Sequence, residues 1–262
     1  MTVDGTIRLD RSGHVATVTL DRPDKLNAMT VSMDRQMNEL VFELNNDDDI
    51  RCVVLTGAGD RAFSAGSDIT DLDGYGTNWQ YRNRTDRHED YALAVWRLRK
   101  PAVAAIHGYA IGGGLEMACA ADIRIGTPES SFAAGEIRGG WHGGWGATQH
   151  LTRAIGPGHA APLLLTGDRI DGAEAYRIGL LQELHSAEDV RDRATQIATS
   201  IASLAPIATQ STKNLIRIAQ SASIDDGLRY ENDMFSYLML TRDADEGQRA
   251  FAEKRDPRFE GR

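Results

Sequence analysis

The chain has 262 residues, 41% of them apolar, and a formal net charge of −9. That length suits one large domain, or one domain with an appendage, and the apolar share supports a packed core rather than a disordered chain. The negative balance argues against nonspecific binding to nucleic acid or an anionic membrane surface, and no apolar run approaches the length of a membrane span.

The start, Met1-Thr2-Val3-Asp4-Gly5, lacks the basic-then-apolar pattern of a secretion signal, so the expected location is cytoplasmic. Ile7–Leu9 and Val15–Leu20, with Arg11-Ser12-Gly13-His14 between them, read as a β-hairpin. Asp21 to Ala28 reads as a loop by its Pro, Asp and Asn content. Met33, Met37, Leu40, Val41 and Leu44 then recur at helical spacing behind a Thr30 or Ser32 cap, which predicts a helix packed on a sheet. Cys52-Val53-Val54-Leu55-Thr56 reads as a buried strand, and Gly57–Asp60 as a turn. Phe63-Ser64-Ala65-Gly66-Ser67-Asp68-Ile69 places small residues where a backbone must approach a ligand. Asp71–His88 is aperiodic and reads as a loop, with the Asn83-Arg84-Thr85 sequon carrying no meaning without secretion. Tyr91–Leu98 reads as a helix ended by Lys100-Pro101.

The organising stretch is Ile111-Gly112-Gly113-Gly114-Leu115-Glu116-Met117-Ala118-Cys119-Ala120. Behind it lies the apolar run Val103–Ile106, read as its strand; ahead lies an alanine-rich segment read as a short buried helix. Glycines at such a junction bare backbone N–H groups, and the first N–H groups of a helix lack internal partners and sit at the positive end of its dipole. Glu116 in the first turn adds an acid or base beside those donors.

Ile123–Ile125 and Ser131–Ala133 read as short strands, and Glu136 lies just beyond the second. Gly139 to Gly146 is a second glycine-rich turn, carrying Trp141, His142 and Trp145, and a helix is expected around Thr148–Ile155. Strands alternating with helices predict an α/β core with mostly parallel pairing. From about Ala187 the chain reads as helical, broken at Pro206. The expected division is a core over residues 1–204 and a helical, oligomer-forming region over 205–262. Cys52 and Cys119 read as buried reduced thiols, and no cysteine–histidine spacing suggests a metal. Two small-residue turns, Ala65-Gly66-Ser67 and Gly112-Gly113-Gly114, offer two backbone donors for one oxyanion if their strands share a sheet. Glu116 and Glu136 supply a carboxylate pair able to hold one water and divide the proton transfers.

These pieces, in this order, resemble the crotonase superfamily of enoyl-CoA hydratases and isomerases over nearly the whole chain. The resemblance rests on Asp21-Arg22-Pro23 through Leu26-Asn27-Ala28, Phe63 to Ile69, and Gly108 to Glu116. Ala121-Asp122-Ile123-Arg124, Glu136-Ile137, Thr148-Gln149 and Ala250 to Arg255 extend it. It implies the crotonase fold, an α/β spiral of ββα units with a C-terminal helical region. It also implies a coenzyme A thioester substrate, no cofactor beyond that coenzyme, and a homotrimer or dimer of trimers. By matching position, Ser67 and Gly113 would supply the oxyanion N–H groups and Glu116 and Glu136 the catalysis. Ala65 would meet the adenine and the Lys25-Leu26 loop the pantetheine and phosphate end, with Ala28, Gly66, Asp68, Ile69 and Gly112 beside them. Lys254 would lie near the coenzyme phosphates, and Trp141 near the acyl group.

Two glutamates at these positions point to water addition to a trans-2-enoyl-CoA. Another crotonase-type reaction (isomerase, carnitinyl-CoA-type dehydratase or acyl-CoA hydrolase) is the main alternative, followed by noncatalytic acyl-CoA binding. A nucleotide-binding phosphate loop is excluded because no Gly-Lys-Ser/Thr follows the glycines. The chain departs from the family at Gly143-Gly144-Trp145-Gly146-Ala147, at His150, and at Trp141 and His142. With Trp79 and Tyr81, these aromatics predict a short, aromatic or oxygenated acyl group rather than a long alkyl tail.

Overall fold

A computed structural model describes residues 5–76 and 90–262. The hairpin forms as β1 (Thr6–Ser12) and β2 (Val15–Asp21), antiparallel, with Ser12 opposite Val15. Thr30 caps α1 (Val31–Asn46), its Oγ1 accepting from the Met33 N–H at 3.1 Å, and Met33, Met37, Val41 and Leu44 are buried as their spacing requires.

From here the chain repeats one move. Each of three successive units sends one strand to a large sheet, the next strand to a small sheet, and then turns into a helix. The first unit is β3 (Cys52–Gly57), β4 (Ala62–Ser64) and α2 (Tyr91–Trp96). The second is β5 (Ala102–Ile106), β6 (Tyr109–Ile111) and α3 (Gly113–Ala120). The third is β7 (Ile123–Gly126), β8 (Ser131–Ala133) and α4 (Thr152–Thr166). Two short strands, β9 (Ile170–Asp171) and β10 (Glu183–Leu184), flank α5 (Gly172–Arg177). The large sheet runs β1-β2-β3-β5-β7-β10 and the small one β4-β6-β8-β9.

β3 and β5 are buried at every position, the pattern of parallel strands covered on both faces. Alternate side chains divide between the two faces. Val53 and Leu55 join the main core with α1, while Cys52, Val54, Val103 and Ala105 pack on α6 (Val190–Ala202) through Val190, Ala194, Ala198 and Ala202. The small i, i+4 residues of α6 let that helix lie close on the sheet. Both cysteines are buried and free, and burial pushes their thiols up, to about 12 for Cys52 and about 11 for Cys119.

The last three helices are α7 (Pro206–Ala219), α8 (Ile224–Leu238) and α9 (Arg242–Glu253). Lys213 staples α7 to the core: its Nζ donates to Lys100 O and meets Asp122 Oδ2, both at 2.7 Å, and burial pulls its ammonium down to about 8. Asp122 Oδ2 also accepts from the Ala102 N–H, so the staple reaches the first residue of β5. No residue of α8 is buried, and Leu228, Phe235 and Tyr237 on it stand exposed. Among the described residues, no helix is long and apolar enough to cross a membrane.

Two expectations need correction. Val103–Ile106 does not lead into the glycine turn; it is β5 of the large sheet, and β6 of the small sheet stands between. A three-residue strand carries too little sequence for a period, so Tyr109–Ile111 merged with the turn. The helix after the second glycine turn opens as a π-type turn over Ala147–Leu151 and is broken at Gly156 (φ 75°), ahead of Pro157, which lacks the N–H to continue it.

α3 is eight residues long and buried throughout, so its ends need partners inside the protein. At its C-terminal end, buried Arg124 donates through Nη1 to Ala121 O (2.6 Å) and through Nε to Leu180 O (2.9 Å). Arg124→Met removes both bonds and strands the carbonyls, so a loss of about 3 kcal/mol is expected. A chemical denaturation curve checks it; a loss below about 1 kcal/mol would show that water takes over both carbonyls.

Candidate active site

The two small-residue turns do meet, and the small sheet is what brings them together. β4 and β6 pair in parallel with Ser64 opposite Ala110, and each turn leaves its strand two residues later, at Gly66 and Gly112. Both glycines have positive φ (86° and 57°), a conformation open to glycine at little cost. A Cβ on Gly66 would lie 2.7 Å from the Gly113 nitrogen and 2.9 Å from Ile111 O, so nothing larger than glycine allows this approach. Around the turns, the Ala65 N–H donates to Leu26 O and the Met29 N–H to Gly66 O, while the Asp68 N–H donates to Met29 O. That ladder leaves out the Ser67 N–H, and the Gly113 N–H is the first of α3. Among the described residues neither of these two N–H groups has a backbone acceptor.

The two glutamates reach this place from different elements and are held differently. Glu116, 5% exposed, sits in the first turn of α3, and its Oε1 accepts from the Trp145 N–H (2.8 Å) and the Ala147 N–H (3.1 Å). The second glycine-rich turn therefore clamps Glu116, and a Cβ on Gly143 would fall 2.5 Å from the same oxygen. Glu136 lies in a short 3₁₀ turn, Gly135–Gly139, after β8. Its carboxyl faces Gly112, 3.2 Å from where a Cβ would stand, and its Oε2 is buried with no hydrogen-bond partner in the described chain. Burial pushes the Glu136 carboxyl above the ordinary glutamate range, the charge of Glu116 adds to this, and its own backbone N–H and His142 oppose it. Two carboxyls in unlike surroundings beside two bare N–H groups can polarise a carbonyl and move a proton on each side of it.

One residue of the site has no signal in the sequence. Tyr91, the first residue of α2, is buried, and its hydroxyl lies 2.8 Å from Ser67 Oγ. A Cβ on Gly113 would collide with that hydroxyl, at 1.9 Å. Glycine at 113 is thus required by the tyrosine as well as by the turn.

The remaining candidates divide. Leu26, Ala28 and Ala65 are half-buried along the Leu26–Ala65 hydrogen bond, and Lys25 and Ile69 are exposed beside them. Leu26 and Asn27 hold positive φ (53° and 54°), and Asn27 secures that bend by donating to Ala58 O and Ala62 O. Asp68 is engaged inside the fold: Oδ1 accepts from the Thr70 hydroxyl and N–H, and Oδ2 from Arg22 at 2.7 Å. The Thr70 hydroxyl, then Arg22, hold its carboxyl down to about 2. Lys254, exposed at the left-handed end of α9, makes no hydrogen bond to the Lys25–Leu26 loop. Trp141 is 52% exposed and folds back over Gly139, whereas Trp145 is half-buried against the main core. His150 packs at a tilt against Trp96 (ring centroids 4.4 Å, planes 37° apart), and the Arg217 guanidinium carbon lies 3.9 Å from the centroid of the same Trp96 ring. Trp79 and Tyr81 fall outside the described residues. No group of His, Cys, Asp and Glu able to hold a metal occurs among the described residues.

Comparison with known proteins follows this geometry. Residues 10–262 match the family described as enoyl-CoA hydratase/isomerase. The short-chain-enoyl-CoA hydratase of Clostridium acetobutylicum is 35% identical, with 94% of each chain covered. The (E)-benzylidenesuccinyl-CoA hydratase of Thauera aromatica is 35% identical over 97% of this chain and 99% of its own. Among solved structures, an enoyl-CoA hydratase from Bacillus anthracis superposes with a TM-score of 0.89 at 32% identity, covering 98% of this chain and 99% of its own.

The raised Glu136 carboxyl makes a stability prediction. Between its unfolded and its higher folded pKa the native state binds more protons, so stability falls as pH rises through the folded value. Glu136→Gln removes that loss. Thermal melts at about pH 8 are expected to show the mutant at least as stable as the wild type, with its advantage shrinking toward about pH 4. A mutant that melts lower at the higher pH would contradict the assignment.

Proposed function

This chain belongs to the enoyl-CoA hydratase/isomerase family, and within it we propose a hydratase that adds water reversibly to a trans-2-enoyl-CoA thioester. The observation that carries this reading is the carboxylate pair at the glycine turn, Glu116 clamped by two backbone N–H groups and Glu136 raised and unserved at Oε2. The thioester oxygen accepts from the N–H groups of Ser67 and Gly113. Glu116 orients a water and takes its proton as the oxygen attacks the β-carbon. Negative charge then passes to the thioester oxygen as an enolate, which the two donors hold. Glu136 gives its proton to the α-carbon, and the carbonyl re-forms. The raised carboxyl suits Glu136 to the donor role, since a stronger hold on the proton near neutral pH keeps more of it in acid form.

The coenzyme is part of the substrate, and we assign no other cofactor. Its adenine lies at Ala65 and Gly66, and its pantetheine along Lys25, Leu26 and Ala28, with Asp68 fixing that loop and Ile69 at its rim. Lys254 meets the phosphates from a neighbouring copy. The acyl group lies toward Gly112 and Trp141, and its size and polarity are those expected of a short, aromatic or oxygenated chain.

Glu116→Gln and Glu136→Gln are each expected to lower kcat by about 10²–10⁴ for crotonyl-CoA while leaving coenzyme A affinity within about twofold. Near-normal turnover in either variant would falsify the two-carboxylate mechanism.

The assembly belongs to the same reading: a homotrimer or dimer of trimers, with residues 205–262 as the region that forms it. Apolar side chains left exposed on the tail support it, among them Leu228 at 54%, Phe235 at 59% and Phe251 at 86%. Light scattering is expected to give a trimer or hexamer mass at micromolar concentration, and a monomer mass would reject this reading.

A further inference from the structure

The hydrogen-bond accounting at Ser67 and Tyr91 goes further than two backbone donors. A phenol carries one proton and accepts readily, and a serine hydroxyl carries one proton with two acceptor lone pairs. Tyr91 is 3% exposed, and among the described residues its hydroxyl has one hydrogen-bond partner, Ser67 Oγ at 2.8 Å. Leaving a buried phenol proton unpaired is costly, so the phenol donates and Ser67 Oγ accepts. The Ser67 hydroxyl proton is then not spent on Tyr91, and among the described residues Ser67 Oγ has no other partner. Ser67 is half-buried, the same residue presents its bare backbone N–H, and the Tyr91 hydroxyl that fixes its side chain presses on the Gly113 backbone. A hydroxyl with a fixed oxygen and an unspent proton therefore belongs to the residue that carries one backbone donor, and the phenol that fixes it lies against the residue that carries the other.

We propose that the Ser67 hydroxyl is a third donor to the substrate's thioester oxygen, and that Tyr91 is the positioning residue that aims it. Tyr91 touches no reacting atom; it acts by accepting nothing and donating to Ser67, and by setting the distance between the Ser67 and Gly113 peptides. This rests on the oxyanion role given to those two peptides above. The structure supplies the reason that the tyrosine, an otherwise bulky neighbour, is seated against a glycine inside the site. Asp90 caps α2 by accepting from the Ala92 and Leu93 N–H groups through Oδ1, which fixes the backbone of Tyr91 at the helix start.

The test uses the full-length protein in four forms: wild type, Tyr91→Phe, Ser67→Ala and the double variant. Two readouts are taken, steady-state hydration of crotonyl-CoA and the absorption maximum of a bound dimethylaminocinnamoyl-CoA, whose band moves red as its carbonyl is polarised. Each single variant is expected to lose about 10- to 100-fold in kcat with KM within about threefold, because misplacing a group in the transition state costs rate more than ground-state binding. Each is expected to lose part of the red shift, and the double variant to lose no more than the worse single one, since both act through one hydrogen bond. Ser67→Thr, which keeps a hydroxyl, is expected to retain the red shift. Full kcat and full red shift in Tyr91→Phe overturn the proposal. So do losses that multiply in the double variant, or a lowered kcat with the red shift intact, the result expected of a purely structural tyrosine. If the wild type reddens the chromophore but adds no water, and Tyr91→Phe loses the shift, the hydratase reading falls and this one stands. A wild type that does neither overturns both.

Discussion

Everything at the candidate site depends on two backbones coming closer than any side chain permits. Gly66 faces the Gly113 nitrogen at a distance that a methyl group would fill, and the small parallel sheet holds the two segments level. The two N–H groups therefore owe their placement to strand pairing on one side and, for Ser67, to the backbone bonds that tie its turn to the Leu26–Met29 loop. A donor set fixed before the substrate arrives needs no reorganisation when charge develops on the oxygen, which is the main source of its catalytic value. α3 continues from the same turn, buried over its full length, so Glu116 is tied to the Gly113 donor by a single helical turn. Arg124 closes the far end of that helix onto the core.

Much of this was legible in the residues. The alternating and continuous apolar runs gave β2, β3, β5 and α1 at nearly their observed bounds, because each is long enough to show its period, whereas β1 runs on through the polar Asp10-Arg11-Ser12 that reads as connection. The glycine turns and both glutamates stood out because glycine and a carboxylate are costly inside apolar sequence. Three features had no such signal. β4 and β6 are three residues each, shorter than any period, so the second sheet is not legible as a sheet, although the Ser131–Ala133 run does read as the strand β8. The clamp of Trp145 and Ala147 on Glu116 uses backbone N–H groups, which every residue carries. Tyr91 lies 24 positions from Ser67 in the chain, and nothing in its neighbourhood marks it as other than a helix residue facing a core.

The aromatic residues of the second glycine turn show where residue type misleads without direction. Trp141 and Trp145 look equivalent in sequence, yet one turns outward over Gly139 and the other packs inward on the core. Trp145 contributes to the site through its main chain, as a donor to Glu116, while its indole contributes to packing. Asp68 divides the same way, since its carboxylate is satisfied by Thr70 and Arg22 and what it offers nearby is a fixed loop. In both cases the side chain secures the local backbone rather than lining the site.

The level pairing of β4 and β6 has a consequence for how this chain can change over time. A strand advances about 3.3 Å per residue, roughly the span of one hydrogen bond. The pairing already absorbs one extra residue between Ala62 and Ser64, and beyond it, between Ser64 and Gly66 or between Ala110 and Gly112, gaining or losing one codon would shift one donor past the other by that whole distance. In the Gly139–Gly146 turn the constraint is on residue size instead, since a Cβ on Gly143 or Gly146 would run into Glu116 or His150. Two different kinds of change are therefore barred at this site, a change of length in the paired strands and a change of size in the turn that clamps Glu116.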